Sequence, residues 1–418
     1  MKARTVTSNN VNQRTLLITL TGPDRPGVTS RLFAVLTAFP VTVADVEQVV
    51  IRGRLTLGVL VAYAGGPPTG TGGTIGGLWT AVEQVAADLD MDVEIASGTV
   101  SKEKRRRRGR LHVTVVGAPL MPAAMAGITG RIAACGANID RIERLSSYPV
   151  TCIEMAVSGA DSQAMRVALA AEAAVQQVDV AVQRSGLHRR AKRLIVMDVD
   201  STLIQNEVIE LLAKHAGCLD EVSRVTEEAM RGELDFAQSL VRRVSLLEGL
   251  SDEIFEKVAK ELVLTPGART LVRTLKRLDY RFAVVSGGFT QITDMLVQDL
   301  GIDYSAANTL EVVDGRLTGR VIGEIVDRPG KARALERFAA ESNIPLSQTV
   351  AVGDGANDLD MLAAAGLGIA FNAKPVVREA ADTALNVPYL DTILYLLGIS
   401  REEVEAADAE DGMPPMPV

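Results

Sequence analysis

The chain has 418 residues, 47% of them apolar, with 44 lysines and arginines against 52 aspartates and glutamates, a formal net charge of -8. That length exceeds one average hydrophobic core and calls for several domains. The acidic balance excludes the broad positive field on which generic nucleic-acid binding depends.

The first fourteen residues are polar and lack the apolar core of a secretory leader, and no apolar run reaches membrane-span length. A cytoplasmic protein without membrane contact is expected. Cys135, Cys152 and Cys218 are odd in number and far apart, which implies reduced thiols rather than a disulfide framework or a metal knuckle.

From Thr15 the pattern predicts a strand over 16–20, a Gly/Pro loop, and a helix through Leu32, Val35, Leu36 and Phe39. Strands over 41–51 and 55–63 follow, joined at Arg52-Gly53-Arg54 as in a hairpin. A Gly-rich connector, 65–77, leads to a helix over 78–89 and a strand over 91–97. The same βαββαβ order recurs as strand 111–116, helix 123–135, strands 138–146 and 150–158, helix 162–174 and strand 178–183. Two α+β modules are expected, over 13–100 and 110–185, each a four-stranded antiparallel sheet with two helices on one face and the other face or an edge free for pairing. The basic runs 102–110 and 188–193 fall between periodic segments and read as solvated linkers.

Beyond Gly186 short apolar strands, 194–197, 283–285, 349–352 and 368–371, alternate with helical segments, which predicts a doubly wound parallel sheet over 187–400. Four helical stretches, 207–216, 219–230, 236–247 and 252–262, come between the first two of these strands. An all-helical insertion at that point, about 205–265, sits over the carboxyl ends of the strands and reads as a cap. The acidic, Pro-containing tail over 401–418 reads as disordered.

Four polar signals stand directly after predicted strands or at a helix start. Asp198-Val199-Asp200 places two carboxylates at the mouth of a buried strand, costly without a cation, and hard oxygen ligands suit Mg²⁺. Asp198 is the candidate nucleophile and Asp200 the candidate general acid and base. Ser286-Gly287-Gly288 offers a hydroxyl and backbone N–H groups to phosphoryl oxygens, and Lys331 offers a fixed positive charge. The run 353–358, with Asp354, Asn357 and Asp358, supplies further oxygens. Each signal alone reads equally well as a turn, a loop or a surface charge. Their joint occurrence in this order points to in-line phosphoryl transfer, with Asp198, Asp200 and Asp354 as metal ligands.

Other signals carry no chemistry. Residues 323–331 end in Gly-Lys, but the glycine spacing and Ala332 depart from a P-loop. The Gly-rich connector never satisfies a dinucleotide fingerprint. His112, His188 and His215 are scattered, without the grouping of a triad or zinc site.

The four signals resemble the haloacid dehalogenase superfamily of aspartyl phosphatases and, through Asp198-Val199-Asp200-Ser201-Thr202-Leu203, Glu207, Met230, Phe236, 243–247 and 353–358, the phosphoserine phosphatase family within it. That resemblance covers about 192–398. It implies hydrolysis of O-phospho-L-serine, the last step of serine biosynthesis, with Mg²⁺ as cofactor. It also implies that Arg243 grips the substrate carboxylate, Glu207 its ammonium, and Met230 and Phe236 close the cap. Gly287, Gly288, Lys331 and Asn357 complete the substrate contacts, and Thr202 and Asp358 support the loop. Transfer to another small acceptor such as homoserine is the enzymatic alternative, and an amino-acid sensor with an inert phosphatase-like domain is the non-enzymatic one. Each N-terminal module resembles the ACT domain, which implies a homodimer and an amino-acid effector such as L-serine. Asp24 and Gly27 stand in the loop where such domains bind ligand; Gly117 holds the equivalent place in the second copy, without the Asp-Arg-Pro-Gly signature.

Overall fold

The computed structural model describes residues 14–63, 75–99, 110–186, 189, 191–230 and 233–413; most of the Gly-rich connector and of the first basic run falls outside that set. The chain divides into two compact units, Met1–Arg106 and Arg107–Val418.

The first unit contains β1 (Arg14–Pro23), β2 (Val41–Ile51), β3 (Arg54–Tyr63) and β4 (Asp92–Thr99) in the antiparallel order β2-β3-β1-β4. Period-two alternation sends Leu16, Ile18 and Leu20 of β1 and Leu55, Leu57, Val59 and Val61 of β3 to one face. Helices Val28–Leu36 and Ile75–Asp88 cover that face with Val28, Leu32, Leu36, Leu78 and Val82.

In the second unit β5 (Leu111–Gly117), β6 (Asn138–Ser146), β7 (Thr151–Ser158) and β8 (Asp179–Arg184) repeat the arrangement in the order β6-β7-β5-β8. The expectation of a free sheet face fails for this copy. Val116, Cys152 and Ala181, which point away from its own helices, share one core with Ile195, Leu394, Tyr395 and Leu396 of the following domain. Polar contacts fix the seam. Asp179 accepts from the Asn386 backbone and side chain, both at 2.6 Å, and Arg189, 7% exposed, is paired with Glu154. The second basic run is thus partly buried rather than a solvated linker, since Lys192 is also buried and donates to the Ser347 and Thr349 carbonyls.

The remaining strands are β9 (Leu194–Met197), β10 (Arg281–Phe289), β11 (Tyr304–Val313), β12 (Arg316–Ile322), β13 (Thr349–Gly353), β14 (Gly368–Phe371) and β15 (Thr383–Leu385). They form one sheet, β12-β11-β10-β9-β13-β14-β15, parallel except for the β11–β12 hairpin. β9 lies at the centre with every residue buried, as a strand covered on both faces requires. Helices Val208–Ala216, Leu219–Met230, Phe236–Ser245 and Ile254–Glu261 form the cap. Its two connections run side by side: Ile204 bridges Leu264, Gln205 N–H donates to the Val263 carbonyl at 2.8 Å, and Thr265 N–H to Leu203 at 3.0 Å.

Much of the tail is helical rather than disordered. Residues Arg401–Glu410 form a helix opened by a Ser400–Glu403 capping box, and 414–418 lie outside the described residues. Asp408, 2% exposed, is gripped by Arg273 at 2.5 Å and Arg277 at 2.6 Å. Asp408→Ala leaves both guanidiniums without that partner and is expected to lower stability by about 1–3 kcal/mol. A denaturant titration checks it; an unchanged midpoint with unchanged slope contradicts it.

Candidate active site

The sheet topology assembles the site. β9, β10 and β13 are neighbours, so the residues following their carboxyl ends meet at one edge of the sheet. Asp198 follows β9 and is 4% exposed. One of its oxygens accepts the Val199 N–H at 2.7 Å and the other lies 2.6 Å from the Lys331 ammonium. Lys331, in helix Arg328–Glu341 and 1% exposed, also contacts Asp358 at 2.7 Å, and the second Asp358 oxygen accepts the Gly355 N–H at 2.9 Å.

The Asp200 carboxylate faces elsewhere. It accepts from the Val208 N–H at 2.8 Å and from the Ser286 hydroxyl at 2.9 Å. Ser286 in turn accepts the Gly288 N–H at 2.7 Å, which orients its hydroxyl. A Cβ at Gly287 would lie 3.0 Å from the Phe236 ring, a tight contact at the point where the cap meets the 286–288 segment. Thr202 donates to Asp354 at 3.0 Å and is itself held by Thr265, whose hydroxyl donates to the Thr202 carbonyl at 2.6 Å. Thr265 carried no sequence signal.

Asp198, Asp354 and Asp358 each present a carboxylate oxygen within 4.8 Å of the others. Asp358 joins Asp198 and Asp354 of the sequence-derived ligand set in this cluster of carboxylates, while the Asp200 carboxylate is engaged by Ser286 and Val208. Electrostatics favours a cation at the cluster. Burial and then the Asp358 carboxylate push Asp198 well above its ordinary value, against the pull of Lys331. Asp354 rises to about 6 through burial and the same neighbour. Burial works to lower Lys331, yet Asp198 and Asp358 outweigh it and hold the ammonium charged. One ammonium shared by several carboxylates leaves a surplus of negative charge that a divalent ion with hard oxygen preferences would cancel.

Asp200 is raised by burial, against its hydrogen bonds to Val208 and Ser286, the direction a proton donor needs. Glu207 accepts the Ser201 hydroxyl at 2.6 Å and is pushed up to about 7 by desolvation and by Asp200 and Asp354. Arg243 donates to the Ser239 carbonyl at 3.3 Å; desolvation lowers it while Glu207, Asp200 and Glu210 raise it. Asn357 is half-buried beside Gly355, and the Met230 side chain lies outside the described residues. If ionised Glu207 holds a substrate ammonium, kcat/KM, which reports the free enzyme, falls as pH drops below a limb at or under about 7, since a bound cation lowers this carboxyl. A pH profile of Glu207→Gln retaining that limb contradicts the assignment.

In the N-terminal modules, Asp24, Arg25, Gly27, Thr29, Gln48 and Leu55 line a cavity of about 480 Å³. Gly27 has φ 96° at the start of helix Val28–Leu36. Gly117 differs: Leu120 folds back against it, its Cα 3.0 Å from where a Cβ would stand.

Comparison with known proteins agrees with this geometry. Residues 195–363 match the haloacid dehalogenase-like hydrolase family, and 14–96 and 111–183 each match the ACT domain. The chain is 63% identical to the phosphoserine phosphatase of Streptomyces coelicolor over 94% of both chains. It is 53% identical to that of Mycobacterium tuberculosis over 95% of this chain and 96% of the relative. Among solved structures, a probable phosphoserine phosphatase from Vibrio cholerae aligns with TM-score 0.56 and 36% identity, covering 74% of this chain and 91% of that one. A haloacid dehalogenase family hydrolase from Salmonella enterica aligns with TM-score 0.62 and 26% identity, covering 69% and 98%. The chain belongs to the phosphoserine phosphatase family of haloacid dehalogenase-like hydrolases and carries two ACT domains ahead of its catalytic domain.

Proposed function

We propose that this enzyme hydrolyses O-phospho-L-serine to L-serine and phosphate, as the last step of serine biosynthesis in the cytoplasm. The observation that carries the reading is the buried Asp198 carboxylate, 2.6 Å from Lys331 and beside the Ser286–Asp200 pair, on a chain similar over nearly its whole length to phosphoserine phosphatases. One Asp198 oxygen attacks phosphorus, and the ester oxygen of serine leaves with the proton of Asp200. Asp200, now a carboxylate, takes a proton from water, whose oxygen attacks the aspartyl-phosphate and restores Asp198. Ser286 and the Gly287 and Gly288 backbone orient the phosphoryl oxygens, and Lys331 neutralises their charge. Asp198, Asp354 and Asp358 are the carboxylates that would hold Mg²⁺, which when bound adds Lewis-acid stabilisation of the phosphoryl group. Arg243 and Glu207 receive the carboxylate and ammonium of the amino acid, an opposite pair matched to a zwitterion.

An amino-acid effector such as L-serine is assigned to the Asp24–Gly27 cavity, where the Val28–Leu36 helix N-terminus would receive its carboxylate, and the functional molecule is a homodimer paired through its ACT domains. A phosphate-release panel tests the substrate: O-phospho-L-serine is expected to exceed O-phospho-L-threonine and an aryl phosphate lacking the amino-acid groups. Equal kcat/KM across the three would overturn the substrate assignment. Transfer to homoserine in preference to water would establish the phosphotransferase alternative instead.

A further inference from the structure

We infer that Asn308 is a positioning residue for phosphoryl transfer, locking the phosphate loop of β10 to the approach of the helix that carries Lys331. The inference rests on the phosphatase reading above and adds a residue from β11, a strand that contributes none of the recognised signals.

The reason lies in the strand pairing. β10 and β11 run parallel in register at Ala283–Tyr304, Val284–Ser305 and Val285–Ala306, and pair again only at Phe289–Asn308. Three residues of β10, Ser286, Gly287 and Gly288, therefore stand against the single Ala307 of β11. The ladder cannot satisfy a bulge of that size, and its backbone groups need other partners. Asn308 supplies one: its amide Nδ2 donates to the Gly287 carbonyl at 2.8 Å. Its Oδ1 accepts the Val326 N–H at 2.8 Å, just ahead of helix Arg328–Glu341. The residue is 1% exposed, so neither bond competes with bulk water.

One planar amide thus spans two of the groups that must meet the phosphoryl oxygens together. With Gly287 fixed, the Gly288 N–H stays on the Ser286 hydroxyl, and that hydroxyl stays on Asp200. With Val326 fixed, the helix start that presents Lys331 to Asp198 keeps its distance from the loop. Asparagine suits the task because it donates and accepts in one plane. Aspartate keeps the acceptor for Val326 but turns an oxygen toward the Gly287 carbonyl, and alanine loses both bonds. Displacement of the cradle by a fraction of an ångström weakens the transition state more than the amino-acid contacts, which lie on the cap side.

The test compares wild type, Asn308→Ala and Asn308→Asp as full-length protein with Mg²⁺, at a temperature well below each melting transition. Measured are kcat and KM for O-phospho-L-serine and the competitive inhibition constants of inorganic phosphate and L-serine against that substrate, which separate binding at the active site from any effector binding at the Asp24–Gly27 cavity. Wild-type hydrolysis is the control for the phosphatase reading itself; its absence would sink that reading whatever the variants do. Given wild-type activity, both variants are expected to lose about tenfold or more in kcat and to bind phosphate more weakly, with L-serine inhibition within about twofold. Folded variants with kcat and phosphate inhibition unchanged would overturn the inference. Equal weakening of phosphate and L-serine, or failure of both variants to fold, would also overturn it by making Asn308 a residue of the fold at large.

Discussion

Asp198→Asn is expected to lower kcat for O-phospho-L-serine by at least about a thousandfold while the fold survives. The amide is nearly isosteric, and it relieves a carboxylate that burial and Asp358 already disfavour. Stability is therefore expected to hold or rise, which separates this variant from one that merely unfolds. Lost activity with an unchanged or higher melting temperature fits a nucleophile. Activity within about tenfold of wild type would place the reacting group elsewhere, because an amide oxygen cannot form the phosphoenzyme at a comparable rate.

Lys331→Ala is expected to affect both activity and stability. The ammonium is 1% exposed and contacts Asp198 at 2.6 Å and Asp358 at 2.7 Å, themselves almost fully buried. Its removal strands carboxylates in a site of low dielectric, a change that costs about 3–5 kcal/mol for a buried pair broken on one side. The sign with pH follows from Asp198, whose folded value is already raised. Without the ammonium it rises further, so folding takes up a proton that the unfolded chain binds less tightly. The deficit should shrink as pH falls toward the ordinary carboxylate range. Added Mg²⁺ should recover part of it by binding the folded state alone. Melting curves across pH, with and without Mg²⁺, measure both trends; a deficit that grows on acidification contradicts the account. Catalysis should fall as well, since the charge facing the phosphoryl oxygens is gone.

The contrast between these variants explains what the sequence could and could not disclose. β9, β13 and β14 are short, wholly buried runs, apolar but for Thr349, and strands covered on both faces have that composition regardless of their neighbours. The acidic loops following β9 and β13 stand out against them. β11 was hidden because Ser305, Asn308, Thr309 and Glu311 break the apolar run, although Asp314-Gly315, at φ 50° and 72°, is a hairpin signal beside β12. The tail helix had a legible start in Ser400 and Glu403, outweighed by acidity and prolines. Its anchor was not legible: Asp408 meets Arg273 and Arg277 across more than 130 residues of chain. Asn308, Thr265 and the approach of the Asp358 carboxylate to Asp198 and Asp354 are of the same kind. Each depends on where a side chain points after the sheet has closed, and no local pattern encodes that.

The seam between the second ACT domain and the catalytic domain belongs with these long-range features. Val116, Cys152 and Ala181 look like ordinary strand residues, yet they complete the core over Leu394, Tyr395 and Leu396. The repeat was visible in the sequence; the different fates of the two copies were not. One has a cavity at Gly27, while in the other Leu120 packs against Gly117 and the sheet face is occupied.

The central claim is that the phosphoryl group of phosphoserine passes through Asp198. Rapid acid quenching of the enzyme during turnover of phosphoryl-labelled O-phospho-L-serine with Mg²⁺, followed by peptide mapping, tests it most directly. The account predicts a hydroxylamine-labile label on the peptide bearing Asp198 in wild type and none in Asp198→Asn. Label retained in Asp198→Asn, or found on a residue other than Asp198 in wild type, would contradict it.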